Sequence, residues 1–310
     1  MGDDKNYSFG IDLLKVSACF GVVYLHLGNG GEIATLSVPI FMFVSAFLCG
    51  RLFTDGIWCE LIARLKRLYV PFVIWGLIYY VLYCIANRNF DVSVLAKQLL
   101  VGAPACPVLY FLFLLACYSM ILFCVGHMRR RFWALTLILI VCLVLQYSGV
   151  NSAVFNRLHF DFRMVLGRFV ELLPAAVLGY AFYLVGKGVE AKLASLIFAA
   201  TAIAVYGMSL GGVFPAGCEG FLYQGLPLLL GAAGACVIVI MVAVVVGGGQ
   251  FRCAAQLTPG IYYIHLLVGK TLEAAIGRQR GWIEAVVVFA LSAICVLAMR
   301  KTPYIGNIVK

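Results

Sequence analysis

Charge is what this chain has least of. Only 12% of its 310 residues are Asp, Glu, Lys or Arg, where a soluble globular domain carries about 25%. Hydrophobic residues make up 64%, and the mean hydropathy is +1.03. That balance excludes an ordinary water-soluble domain and places the chain in a lipid bilayer. A metal-binding pattern is also missing, since the 12 cysteines form no CxxC pair and no Cys/His cluster. Most of them, such as Cys19, Cys84, Cys117, Cys142, Cys236 and Cys295, fall inside apolar runs, where a thiol behaves as a small hydrophobe. Only Cys106 and Cys218 stand where an outside disulfide is conceivable. There is no Walker loop, no GxSxG and no metal-ligand array, so nucleotide-driven pumping and Ser-His-Asp hydrolysis lack their machinery. The formal charge of +10 is spread through short segments instead of one basic face, which argues against nucleic acid as a partner.

What is present is a series of apolar runs. A membrane-crossing helix needs about 20 mostly apolar residues. Ten runs approach that length, near 11–29, 36–54, 68–86, 107–126, 132–149, 166–186, 192–210, 225–246, 256–273 and 282–300. The expected fold is an all-α integral membrane protein of about ten transmembrane helices, one polytopic domain over 1–310 with no soluble appendage. The first run contains Lys15 and lacks an A-x-A cleavage site, so it is expected to be a span and not a cleaved signal peptide.

Positive residues in short loops stay on the cytoplasmic side. With the N-terminus inside, fourteen Lys and Arg fall in inside segments: Lys5, Arg51, Arg64, Lys66, Arg67, Arg129, Arg130, Arg131, Lys187, Lys192, Arg252, Arg300, Lys301 and Lys310. Eight fall outside: Arg88, Lys97, Arg157, Arg163, Arg168, Lys270, Arg278 and Arg280. The bias predicts cytoplasmic N- and C-termini and a multi-pass protein of the cytoplasmic (inner) membrane.

Each ionisable residue within a span costs at least about 2.5 to 3.5 kcal/mol at mid-membrane and therefore needs a partner or a wet cavity. IDLLKVSACFGVVYLHLG, residues 11 to 28, keeps three: Asp12, Lys15 and His26. Lys15 and His26 are eleven positions apart, within about 20° of three full helical turns, and so share a face; Asp12 and Cys19 lie close to the same line. For a lone histidine an interhelical hydrogen bond is the usual role, and a lysine there can snorkel to the surface. Together on one face they favour a site, because an imidazole is the side chain best suited to take a proton from a hydroxyl at neutral pH.

ARLKRLYVPFVIWG, residues 63 to 76, brings Arg64, Lys66 and Arg67 to the cytoplasmic entrance of the third expected span. Arg64 and Arg67 share a face, and paired guanidinium groups suit the phosphates of a donor such as coenzyme A. Topology and anionic lipid explain the same charges equally well. Arg157, His159, Asp161, Arg163, Arg168 and Glu171 cluster around the start of the sixth span. Glu171 lies deepest and either orients His26 or pairs with Arg168. His265, in QLTPGIYYIHLLVGK, is expected to make an interhelical hydrogen bond, and Glu284 to be wet.

These segments resemble the acyltransferase 3 family, integral membrane acyltransferases that modify cell-surface glycans. Its first-span pattern of Arg or Lys, ten residues, then His is matched by Lys15 and His26, and its R-x-x-R by Arg64 and Arg67. VPIFMFVSAFL (38 to 48), RLKRLYVPFVIW, RFVELLPAAVLGY and TPGIYYIHLLV are similar to family blocks in the same order. Two departures stand out: Ala46 replaces a usual Gly, and Val108 and Tyr110 replace the frequent His and Trp of the fourth-span block. The resemblance implies transfer of an acyl group, usually acetyl from acetyl-CoA, to a hydroxyl of a polysaccharide or lipid-linked saccharide. It implies His26 as catalytic base or acyl relay, Lys15 as support for the donor tail or thioester, and Arg64, Arg67 and Lys66 as the coenzyme A dock, with no metal. With no fused extracytoplasmic domain in the chain, the expectation is either direct transfer to a lipid-linked or growing glycan or a separate partner protein. The competing readings are a transporter or flippase, in which Glu171 and His265 relay protons, and a sensor or assembly partner.

Overall fold

The structure, a computed structural model, describes residues 4–29, 32–102, 108–147, 160–185, 206, 225–246, 252–277 and 281–302. Among them every extended element is helical and no strand occurs. In chain order the helices are α1 (Asp4–Tyr24), which runs into a π-helical turn (Leu25–Asn29), α2 (Glu32–Thr35), α3 (Ser37–Leu48), α4 (Gly50–Asp55), α5 (Trp58–Asn87) and α6 (Val92–Val101). They continue with α7 (Tyr110–Gly126), α8 (Arg131–Tyr147), α9 (Phe160–Val185), α10 (Gly225–Val246), α11 (Arg252–Ile276) and α12 (Trp282–Arg300). Among the described residues four segments are long and apolar enough to cross a membrane: Phe9–Leu27, Trp58–Asn87, Val165–Val185 and Trp282–Arg300. The described elements are all helical, and these apolar helices mark a multi-pass membrane protein.

Three expectations change in detail. The expected second span, near 36–54, is interrupted and forms α3 and α4. The third begins ten residues early, so Arg64, Lys66 and Arg67 lie inside the 30-residue α5 and not ahead of it. At 1.5 Å per residue α5 is about 45 Å long, enough to cross both the hydrocarbon and the headgroup layers. A segment expected to be loop contains α6, whose N-terminus is capped by the Asp91 carboxylate accepting from the Ser93 backbone N–H at 2.7 Å. That bond holds the Asp91 carboxyl below the usual carboxylate range. The expected seventh span, near 192–210, lies outside the described residues apart from Tyr206.

The chain divides into two compact units, one from residues 1–44, 185–216 and 226–310, the other from 45–184 and 217–225. In the first unit α11 is the inner helix: Thr258 and Gly260 to His265 are all buried, so it has no lipid face over that stretch. It packs against α1 and α12. α12 shows how such a unit meets lipid. Trp282, Ile283, Ile294 and Leu297 are exposed on its outer side, whereas Glu284, Ser292 and Val296 are buried on the inner one. The burial of Glu284, at 8% exposure, corrects the expectation that it is wet. α3 approaches α1 closely because Gly21 has no side chain; a Cβ there would collide with the Ser37 hydroxyl.

In the second unit α7 is the inner helix, buried at eleven positions from Tyr110 to Gly126, and it packs on α4, α5 and α8. α5 turns Ile62, Val70, Ile78, Val81 and Ile85 outward, an apolar stripe that water would penalise and lipid accepts.

Prolines inside these helices follow a common logic. Proline lacks an N–H and deprives the carbonyl four residues earlier of its donor, which lipid cannot replace. Pro174 in α9 leaves the Val170 carbonyl, and Gln146 Nε2 donates to it at 2.9 Å. Pro259 in α11 leaves the Ala255 carbonyl, and the Thr258 hydroxyl donates to it at 2.8 Å.

Candidate active site: a histidine pair and an anchored arginine

α1 changes character where it reaches His26. The helix is α-helical through Tyr24 and then widens into the π-helical turn Leu25–Asn29 that carries His26. Such turns lengthen the helix by one residue, re-aim a side chain, and are frequent at functional sites. The His26 side chain is exposed, while Val22 and Val23 beneath it are buried.

Two members of the line predicted on α1, Cys19 and His26, face α11. The Cys19 thiol, fully buried, donates to the Thr258 carbonyl at 3.6 Å. One step further along, the His26 and His265 rings lie 5.4 Å apart between centroids, tilted by 37°. Both intervals are seven residues, from Cys19 to His26 and from Thr258 to His265, so the two helices run parallel. The ring contacts continue from His265 to Tyr262 at 5.9 Å and from Tyr262 to Phe41 on α3 at 6.4 Å. Rings in tilted and edge-on contact fix one another's orientation.

His265 departs from expectation. Its Nδ1 lies 2.8 Å from the Tyr262 carbonyl of its own helix, not of a neighbour. A carbonyl only accepts, so Nδ1 carries the proton and donates. Nε2 is then the bare nitrogen, buried and without a hydrogen-bond partner. No carboxylate is hydrogen-bonded to either imidazole among the described residues.

In the second unit Arg64 is held from two sides. Its Nε donates to the Ser119 hydroxyl at 2.8 Å and its Nη2 to the Ser45 hydroxyl at 2.9 Å. Ser119 in turn donates to the Leu115 carbonyl at 2.6 Å, which uses its one proton and points its lone pairs at the guanidinium. Arg64 is half-buried, and no carboxylate pairs with it or with the exposed Arg67 one turn away among the described residues. Neutral hydroxyls thus fix a cation without cancelling its charge. Lys66 is exposed beside them.

The remaining candidates are placed as follows. Lys15 Nζ lies 3.8 Å from Asp12 Oδ1, an ion pair at the limit of contact within one turn. Glu171, nearly fully buried in the second unit, pairs with Arg168 at 2.5 Å, one of the two roles open to it. Arg157 and His159 lie outside the described residues, as do Cys106 and Cys218; of Asp161 and Arg163 only the helical backbone is described. The described residues contain no His/Cys/Asp/Glu group able to hold a metal. Sequence reasoning noticed His265 but did not join it to His26. The matching seven-residue intervals in α1 and α11 were the available signal, and they acquire meaning only once the helices are known to pack in parallel.

No curated protein and no solved structure matches the chain. The family model described as an acyltransferase domain matches residues 8–301, which include Lys15, His26, Arg64, Arg67, Glu171 and His265. The chain belongs to the acyltransferase 3 family and is a membrane acyltransferase.

Proposed function

We propose that the protein transfers an acetyl group from acetyl-CoA to a hydroxyl of a cell-surface polysaccharide or its lipid-linked precursor, in the inner membrane, from a fold of about ten spans with both termini cytoplasmic. The observation that carries this reading is His26, an accessible imidazole re-aimed by a π-helical turn inside a chain whose family transfers acyl groups.

In the proposed reaction His26 removes the proton from the acceptor hydroxyl as its oxygen attacks the thioester carbonyl. The new C–O bond forms and the C–S bond breaks. The coenzyme A thiolate leaves and recovers the proton from His26, so the enzyme ends as it began. Arg64, fixed by Ser45 and Ser119, binds the donor's phosphates with Arg67, and Lys66 adds charge at the same end of α5. Two guanidinium groups without a carboxylate suit a polyanionic donor that arrives from the cytoplasm. Lys15 supports the donor tail or thioester, while the Glu171 carboxylate is engaged by Arg168.

Mass spectrometry of surface glycans from host cells with the wild-type chain, with His26→Ala, and without the chain tests this. The expected result is one added acetyl mass per modified sugar with the wild type only. Identical glycans in all three strains would refute the glycan acceptor, and an acetylated glycan in the His26→Ala strain would refute the role of His26. Substrate movement across the membrane without acetyl-CoA would favour a transporter.

A further inference from the structure

We propose that His265 is the positioning residue for His26, the hydrogen-bond acceptor that holds the catalytic imidazole in its reactive tautomer. The inference deepens the functional reading above and rests on it.

A histidine acting as general base must show a bare nitrogen to the hydroxyl, and its other nitrogen, which carries the proton, needs an acceptor to keep that tautomer and ring angle. Hydrolases commonly supply a carboxylate. None is hydrogen-bonded to His26 among the described residues. What faces it is His265, whose Nδ1 is committed to the Tyr262 carbonyl and whose Nε2 is buried and unpartnered. Each ring nitrogen lies roughly 1 Å from its centroid, so a 5.4 Å separation admits a direct N–H···N bond when nitrogens face, or one bridging oxygen when they do not. A neutral acceptor also suits this depth, since it supplies a lone pair without the desolvation cost of a buried anion.

Membranes from host cells producing the full chain are permeabilised and given radiolabelled acetyl-CoA over a concentration range, and label entering the endogenous glycan fraction is counted. His265→Phe keeps the ring's bulk and removes the lone pair. It is expected to lower the maximal rate about 10- to 100-fold while half-saturating acetyl-CoA stays within about twofold. His265→Gln, whose amide oxygen reaches the Nε2 position, is expected to recover the rate to within about fivefold of wild type. Should the Phe variant not be recovered as a monodisperse protein in detergent, His265→Asn, whose amide stops short of that position, takes its place. A wild-type rate in the acceptor-deficient variant, or equal loss in it and in His265→Gln, overturns the proposal and leaves the functional reading standing. No incorporation by wild type above membranes lacking the chain overturns that reading itself.

Discussion

Arg64 illustrates how a single side chain is prepared for an anion. Its two donors to Ser45 and Ser119 fix the plane of the guanidinium, and no carboxylate among the described residues neutralises it. Arg64→Lys keeps the charge but loses the planar fork, and is expected to raise half-saturating acetyl-CoA about tenfold or more with a smaller effect on maximal rate. Ser119→Ala removes one anchor and is expected to raise it by a few-fold, measured by the same titration. The arginine pair was legible in the sequence from its spacing; the π-helical turn that takes His26 off the regular α-helical register was not. The serines were not, because Ser45 and Ser119 lie 19 and 55 residues from Arg64 and only folding brings them to it. The Arg168–Glu171 pair was legible as a possibility, since residues three apart on a helix meet.

At the scale of elements, hydropathy located the helices and misjudged their ends. The start of α5 carries Glu60, Arg64, Lys66 and Arg67, so an apolar window closes before the backbone stops being helical. α6 escaped notice because ten residues flanked by Asp91 and containing Lys97 resemble a wet loop; its burial of Gln98 and Val94 becomes visible only with α5 alongside. The proline positions, by contrast, point directly to carbonyls that need donors. Gln146→Leu removes the donor to Val170 and is expected to destabilise the detergent-solubilised protein by about 1 to 3 kcal/mol, seen as a lower thermal midpoint. In a Pro174→Ala background the residue at 174 regains an N–H that can serve the Val170 carbonyl, so the same substitution is expected to cost much less. Equal costs in the two backgrounds would refute this account of the Val170 carbonyl.

For the whole molecule, the composition alone specified a membrane protein, and the apolar faces of α5 and α12 agree with it. The division into two units was not legible, because it depends on which inner helix, α7 or α11, gathers the others. The proposed orientation puts the start of α5 in the cytoplasm, where Cys59 is exposed. In a variant keeping Cys59 as the sole cysteine, a membrane-impermeant maleimide is expected to label it only after permeabilisation. Labelling of intact cells would reverse the topology. The most direct test of the central claim is transfer of radiolabelled acetyl from acetyl-CoA to glycan in membranes containing wild type or His26→Ala at equal, folded amounts. The account predicts incorporation by wild type and a loss of at least about 100-fold in the variant. Comparable incorporation by both would show that the imidazole at position 26 is not the base.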